Sequence, residues 1–159
     1  MADQTHRAWL QRAVQLGRDN LASGDGGPFG AVIVDRAGQR IGEGRNCVLR
    51  SNDPTAHAEV VAIRQACSAQ ASHFLAGATL YSSCEPCPMC LSAAYWARID
   101  RIYFAATRHD AAAAGFIDAE LYALFEHRQA SSMPITRIEL PEAAAALSAW
   151  STCPHHRDY

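Results

Sequence analysis

Ala78-Thr79-Leu80-Tyr81-Ser82-Ser83-Cys84-Glu85-Pro86-Cys87-Pro88-Met89-Cys90 passes from an apolar run into a proline-flanked cysteine pair. The run predicts a strand over 78–82, and the residues from Pro88 to Arg98 predict a helix with both cysteines at its start. Cys87 and Cys90 stand three residues apart, so on the first turn of a helix their sulfurs lie on one face and can grip a single ion. The helix dipole and the free backbone N–H groups there favour thiolates. Upstream, His57-Ala58-Glu59 opens a second predicted helix and supplies a third donor. Imidazole and thiolate are zinc ligands, and three protein ligands leave the fourth tetrahedral position for water. Zinc lowers the pKa of a water it holds from about 15.7 to about 7, roughly 12 kcal/mol towards hydroxide. Glu59, two residues beyond the histidine, is free to handle protons.

Two structural readings compete with this one. In the first, Cys84 is a fourth ligand of a closed zinc knot, which leaves Glu59 idle. In the second, Cys87 and Cys90 form a redox pair, which leaves His57 and Glu59 unexplained.

Outward from the pair, the chain alternates strand and helix. Residues 5–23 predict an amphipathic helix with Leu10, Ala13, Val14, Gly17 and Leu21 on one stripe. Gly24-Asp25-Gly26-Gly27-Pro28 breaks it, as a plain turn or as a place where a flat ligand approaches the backbone. A buried strand follows over 29–34, then a turn over 35–38, so that residues 39–46 return as a second strand in a hairpin. Asp53 is a candidate helix cap, with Pro54 in the first turn of the helix that carries His57, Glu59, Val60, Val61, Ile63, Ala66 and Cys67. Further strands are expected over 101–105 and 135–140, a helix-prone run over 111–114, and a last helix over 141–150. Both metal-bearing helices follow strands, which implies a largely parallel sheet with the site at strand ends and helix starts.

At 159 residues and 49% hydrophobic composition the chain suits one domain with a real core. No apolar run is long enough to span a bilayer, and the N-terminal residues lead into an amphipathic stretch instead of a signal core, so a cytoplasmic location is expected. The six cysteines show no secreted-scaffold spacing, and reduced thiols follow. A net charge of −2 with no basic patch argues against holding a polynucleotide. Lysine is absent, which removes Schiff-base chemistry. A small, neutral substrate fits this balance.

Asn46, at the end of the second strand, is a turn residue on one reading and an amide for a base edge on another. Trp96 is core or a pocket wall. Asp118 caps a helix running through Phe125 or contacts substrate. The tail from Cys153 to Tyr159 is polar; its Cys153, His155 and His156 suggest a frayed end or a second metal site.

His-x-Glu followed by Pro-Cys-x-x-Cys resembles the signature of the zinc-dependent nucleobase deaminases. The stretches 26–34, 51–59, 83–90, 95–98 and 113–118, with the terminal tyrosine, narrow the resemblance to the small bacterial guanine deaminases of the cytidine-deaminase-like superfamily. It implies a three-layer α/β/α fold with a five-stranded mixed central sheet, Zn2+ held by His57, Cys87 and Cys90, and conversion of guanine and water to xanthine and ammonia. By the same resemblance Glu59 moves protons between water and the ring, and Asp118 contacts the base and assists the leaving amine. Asn46 holds the base edge, and Phe29, His57 and Trp96 enclose the ring. Tyr159 reaches over an active site from a segment, about 131–159, exchanged between the subunits of a homodimer. Rival substrates are guanosine, cytosine and ammeline; a tRNA adenosine deaminase and a non-catalytic zinc module are more distant alternatives.

Overall fold

The computed structural model describes residues 2–116 together with 118, 121, 122, 125 and 149. The chain divides into two compact units, Met1–Ala119 and Glu120–Tyr159, and the fold described below is that of the first. Its elements are α1 (Ala2–Ser23), β1 (Gly30–Val34), β2 (Arg40–Arg45), α2 (Val48–Ser51), α3 (Ala58–Ala69), β3 (Thr79–Cys84), α4 (Pro88–Trp96), β4 (Arg101–Ala106) and α5 (Arg108–Ala113). None of the described helices is long and apolar enough to cross a membrane.

The strands form one sheet in the order β2-β1-β3-β4. β1 runs antiparallel to both β2 and β3, and β3 runs parallel to β4. The sheet is therefore mixed, which corrects the largely parallel arrangement expected from strand-helix alternation. The alternation did report direction, since β2, β3 and β4 all point the same way. The hairpin expected over 29–46 is present, β1 being tied to β2 by the tight turn at Asp35–Gly38; what alternation could not report is that β1 inserts between β2 and β3. The fifth strand expected over 135–140 and the helix over 141–150 lie outside the described residues, apart from Ala149, which is helical.

β1 is buried along its whole length, and its alternating side chains feed two cores. Ala31 and Ile33 join Leu80 of β3 against α3 and α4. Val32, Val34 and Tyr81 face the other way, against Ala13 and Leu16 of α1. Helices thus cover both faces of the sheet. α3 lies close on β2, where a Cβ on Gly44 would stand 2.7 Å from the Ala62 amide nitrogen; glycine here admits the helix backbone.

Three local expectations are corrected. The buried stripe of α1 is Ala13, Leu16, Gly17 and Asn20, whereas Val14 is 38% and Leu21 74% exposed. Apolar periodicity alone misorients the helix, because a polar residue, Asn20, lies inside. α3 begins at Ala58 with His57 at the N-cap, so Asp53 and Pro54 precede it. The Asp53 carboxylate instead accepts from the backbone and hydroxyl of Thr55, at 2.8 and 2.7 Å. Trp96 is 55% exposed and so is no core residue.

Candidate active site

The direction of β1 assembles the site. Because β1 opposes its neighbours, its start lies at the same sheet edge as the ends of β2, β3 and β4. Gly30 pairs with Arg45, and Cys84 pairs with Ala106. Phe29, Asn46 and Cys87 are thus brought to one edge from distant parts of the chain, and the Asn46 amide donates to the Phe29 carbonyl at 3.0 Å.

Two helices start here, each from a metal-ligand candidate. His57 is the N-cap of α3 and Cys87 that of α4; both have extended backbone, and neither side chain caps its own helix. Pro88 occupies the opening of α4, where its missing N–H costs nothing. Cys90 follows one turn along. The freed side chains converge: His57 Nδ1 lies 3.6 Å from Cys87 Sγ and 3.5 Å from Cys90 Sγ, and the sulfurs are 3.6 Å apart. A tetrahedral zinc with bonds of about 2.3 Å to sulfur and about 2.0 to 2.1 Å to nitrogen spaces its ligands by about 3.8 Å between sulfurs and about 3.6 Å from sulfur to nitrogen. The three atoms therefore form one face of a zinc tetrahedron, and the residues fit the metal. Cys84 is not among them; its thiol donates to the Thr107 carbonyl at 3.5 Å. That disposes of the closed knot.

Without a cation these groups share protons. The hydrogen bond between the two sulfurs, with His57 beside it, holds Cys87 down to about 4. The same bond and burial push Cys90 up, and the Cys87 thiolate pushes His57 up. A bound divalent cation replaces the shared protons and takes both sulfurs as thiolates.

Glu59 sits in the first turn of α3, only 6% exposed. Its Oε2 is 3.4 Å from Cys90 Sγ, and its Oε1 accepts from Ser82 Oγ at 3.0 Å. Burial raises its pKa, the direction wanted in a group that must take up and release a proton. Ser82 was not singled out in the sequence. The available signal was a hydroxyl in the middle of a buried strand, which says nothing about its partner.

Asn46 is buried, and its Oδ1 accepts from the Val48 amide at 3.1 Å. Its Nδ2 makes no hydrogen bond among the described residues, so the turn role and a free donor coexist. The Phe29 ring meets Phe116 edge-on at 4.8 Å; Phe116 is a second aromatic at this rim that sequence reading did not single out. Trp96, at the end of α4, stands edge-on to Tyr95 with ring centres 5.8 Å apart. Asp118 is half-buried. Tyr159 lies outside the described residues, as do Cys153, His155 and His156 of the alternative second metal site.

A His/Cys/Cys metal face built on two helix starts, with a buried non-ligand glutamate beside it, defines a zinc-deaminase-type protein. Comparison with known proteins agrees. Residues 3–106 match the family model of the cytidine and deoxycytidylate deaminase zinc-binding region. The guanine deaminase of Bacillus subtilis is 45% identical over 97% of this chain and 99% of its own. Its X-ray structure superposes with a TM-score of 0.92, covering 97% of this chain and 98% of that one. The guanine deaminase of Nitrosomonas europaea matches at TM-score 0.66 and 34% identity, over 70% of this chain and 64% of its own. A tRNA-specific adenosine deaminase of Haemophilus influenzae is 43% identical over 55% of this chain and 51% of its own. The chain belongs to the cytidine and deoxycytidylate deaminase family of zinc-binding proteins.

Proposed function

We propose that this protein is a guanine deaminase, which hydrolyses guanine to xanthine and ammonia with one bound Zn2+. The observation that carries this is the zinc-spaced triangle of His57, Cys87 and Cys90 with Glu59 at its side, in a chain similar to the Bacillus subtilis guanine deaminase over almost its whole length. The metal, once bound, activates water for attack on the amine-bearing ring carbon.

The chain's own groups do the rest. Glu59 takes a proton from the attacking water and gives it to the ring nitrogen, with its carboxylate held by Ser82. The Asn46 amide offers Nδ2 to an acceptor on the base edge. Phe29, His57 and Trp96 enclose the ring, and Asp118 contacts the base and passes a second proton to the leaving amine. Residues 1–159 act as one deaminase unit, a cytoplasmic homodimer in purine catabolism or salvage. On this reading strand 135–140 completes a five-stranded mixed sheet, residues of about 131–159 are exchanged between subunits, and Tyr159 covers an active site. The match to the Bacillus subtilis guanine deaminase over 97% of this chain supports this part.

The test is ammonia release by the zinc-loaded protein with guanine, guanosine, cytosine, adenine and ammeline supplied separately, and Glu59→Gln as control. Release from guanine that falls by about 100-fold or more in the variant is expected. Release from another ring alone would overturn the substrate, and undiminished release by the variant would overturn the mechanism.

A further inference from the structure

Asn20 lies on the buried stripe of α1, 2% exposed. Its Nδ2 donates both hydrogens, to the Gly27 carbonyl at 2.8 Å and to the Asn46 carbonyl at 2.7 Å. Those carbonyls belong to the two segments that present Phe29 and Asn46. The remaining bonds close a ring: the Phe29 amide donates to the Gly27 carbonyl at 2.8 Å, and the Asn46 amide donates to the Phe29 carbonyl at 3.0 Å. The glycine turn also lies flat on Asn46, since a Cβ on Gly26 would stand 2.8 Å from the Asn46 carbonyl oxygen.

The side chain on α1 is costly. Its Oδ1 is buried with no hydrogen-bond partner among the described residues, and an acceptor left unpaired in that way is destabilising. Rotating the amide does not help, because Oδ1 would then face two carbonyl oxygens. An apolar residue would suit the stripe better but would take the donor from the Asn46 carbonyl and leave the Gly27 carbonyl with the Phe29 amide alone. A neutral group with two N–H bonds on a short stem meets the need, and aspartate, with no donor when ionised, does not.

We propose that Asn20 is a positioning residue for substrate recognition: it closes the hydrogen-bonded ring that fixes Phe29 and Asn46 at one separation, and so sets the enzyme's affinity for a flat base. The inference rests on the reading of Phe29 and Asn46 as base-binding residues, and it extends the site to a helix otherwise serving as scaffold. Asn20 is 2% exposed and its Nδ2 bonds go to backbone carbonyls, so it acts on KM and leaves kcat and zinc in place.

The test compares Asn20→Leu, which keeps the volume, and Asn20→Asp with the wild-type holoenzyme. Val34→Ala, at the far end of β1, serves as a control that loses stability by core truncation alone. The expected result is a KM for guanine raised roughly tenfold in both Asn20 variants, with kcat within about threefold and zinc content unchanged. Val34→Ala should lower Tm and leave KM alone. Wild-type KM in Asn20→Leu, a loss confined to kcat, or an equal KM rise in Val34→Ala would overturn the inference. If the wild-type enzyme turns over a ring other than guanine, the comparison moves to that ring, and the substrate assignment fails separately. Amide exchange gives a readout free of turnover: exchange at Phe29 and Asn46 should accelerate in Asn20→Leu but not in Val34→Ala, and unchanged exchange overturns the ring.

Discussion

Ser82 and Glu59 are hydrogen-bonded at 3.0 Å, the Ser82 hydroxyl donating to Oε1 and both side chains buried. The strand thereby orients the carboxylate whose other oxygen lies beside Cys90. Ser82→Ala should lower kcat by roughly 10- to 100-fold, since a donor to a charged acceptor is worth about 1.5 to 3 kcal/mol. Zinc content should stay the same, and Ser82→Thr should recover most of the loss. Unchanged kcat in Ser82→Ala would show that Glu59 holds its position without the bond.

The metal face joins the first turns of α3 and α4, so zinc should stabilise the fold as well as serve the reaction. Chelation is expected to abolish turnover and lower Tm, with zinc restoring both. Cys87→Ser should bind zinc much more weakly and gain no Tm on its addition. A Tm indifferent to chelator would mean that the helix starts are held together by other contacts.

Asp118 separates a helix cap from a contact with the base. Asp118→Ala is expected to cut turnover by about 100-fold, as for a proton-transferring group, with Tm within about 1 °C of wild type. A clear fall in Tm with normal turnover would make it a cap.

If Tyr159 covers an active site, as proposed, a chain ending at Asp158 should keep its zinc and lose turnover. Wild-type kinetics in the shortened chain would remove that assignment while leaving the metal chemistry untouched.

Away from the site, Arg12 clamps Glu43 with bonds of 3.2 and 2.8 Å, and Arg40 adds one of 2.6 Å. Burial pushes Glu43 up, but the two arginines outweigh it, and its pKa lies below the ordinary 4.5. A depressed carboxylate contributes stability that is present above its unfolded value and lost as the pH falls through the folded one. Arg12 is 40% exposed, so screening limits the gain to about 1 kcal/mol or less. Glu43→Gln should therefore lower Tm at pH 7, and the gap should close as the pH falls below 4.5 and through the depressed folded pKa. A gap that persists in acid would assign the loss to packing.

The sequence alone carried the metal face, because that part is local. Three residues along the first turn of a helix bring Cys87 and Cys90 onto one side whatever the rest of the fold does, and a histidine at another helix start needed only to be brought near. Strand-helix alternation likewise gave α/β layering and the common direction of β2, β3 and β4. The turn over 35–38 also gave the hairpin that sets Phe29 beside Asn46. Tertiary structure decided what depends on pairing between distant segments: the insertion of β1 between β2 and β3, the Ser82 hydroxyl under Glu59, and the turn of α1 that buries Asn20 instead of Leu21. Periodicity ranks residues by hydrophobicity and so passes over a polar side chain whose partners are two carbonyls elsewhere in the chain. Those contacts exist only once the sheet has closed, because hydrogen-bond partners in a sheet are chosen by register, and register is a property of the whole fold.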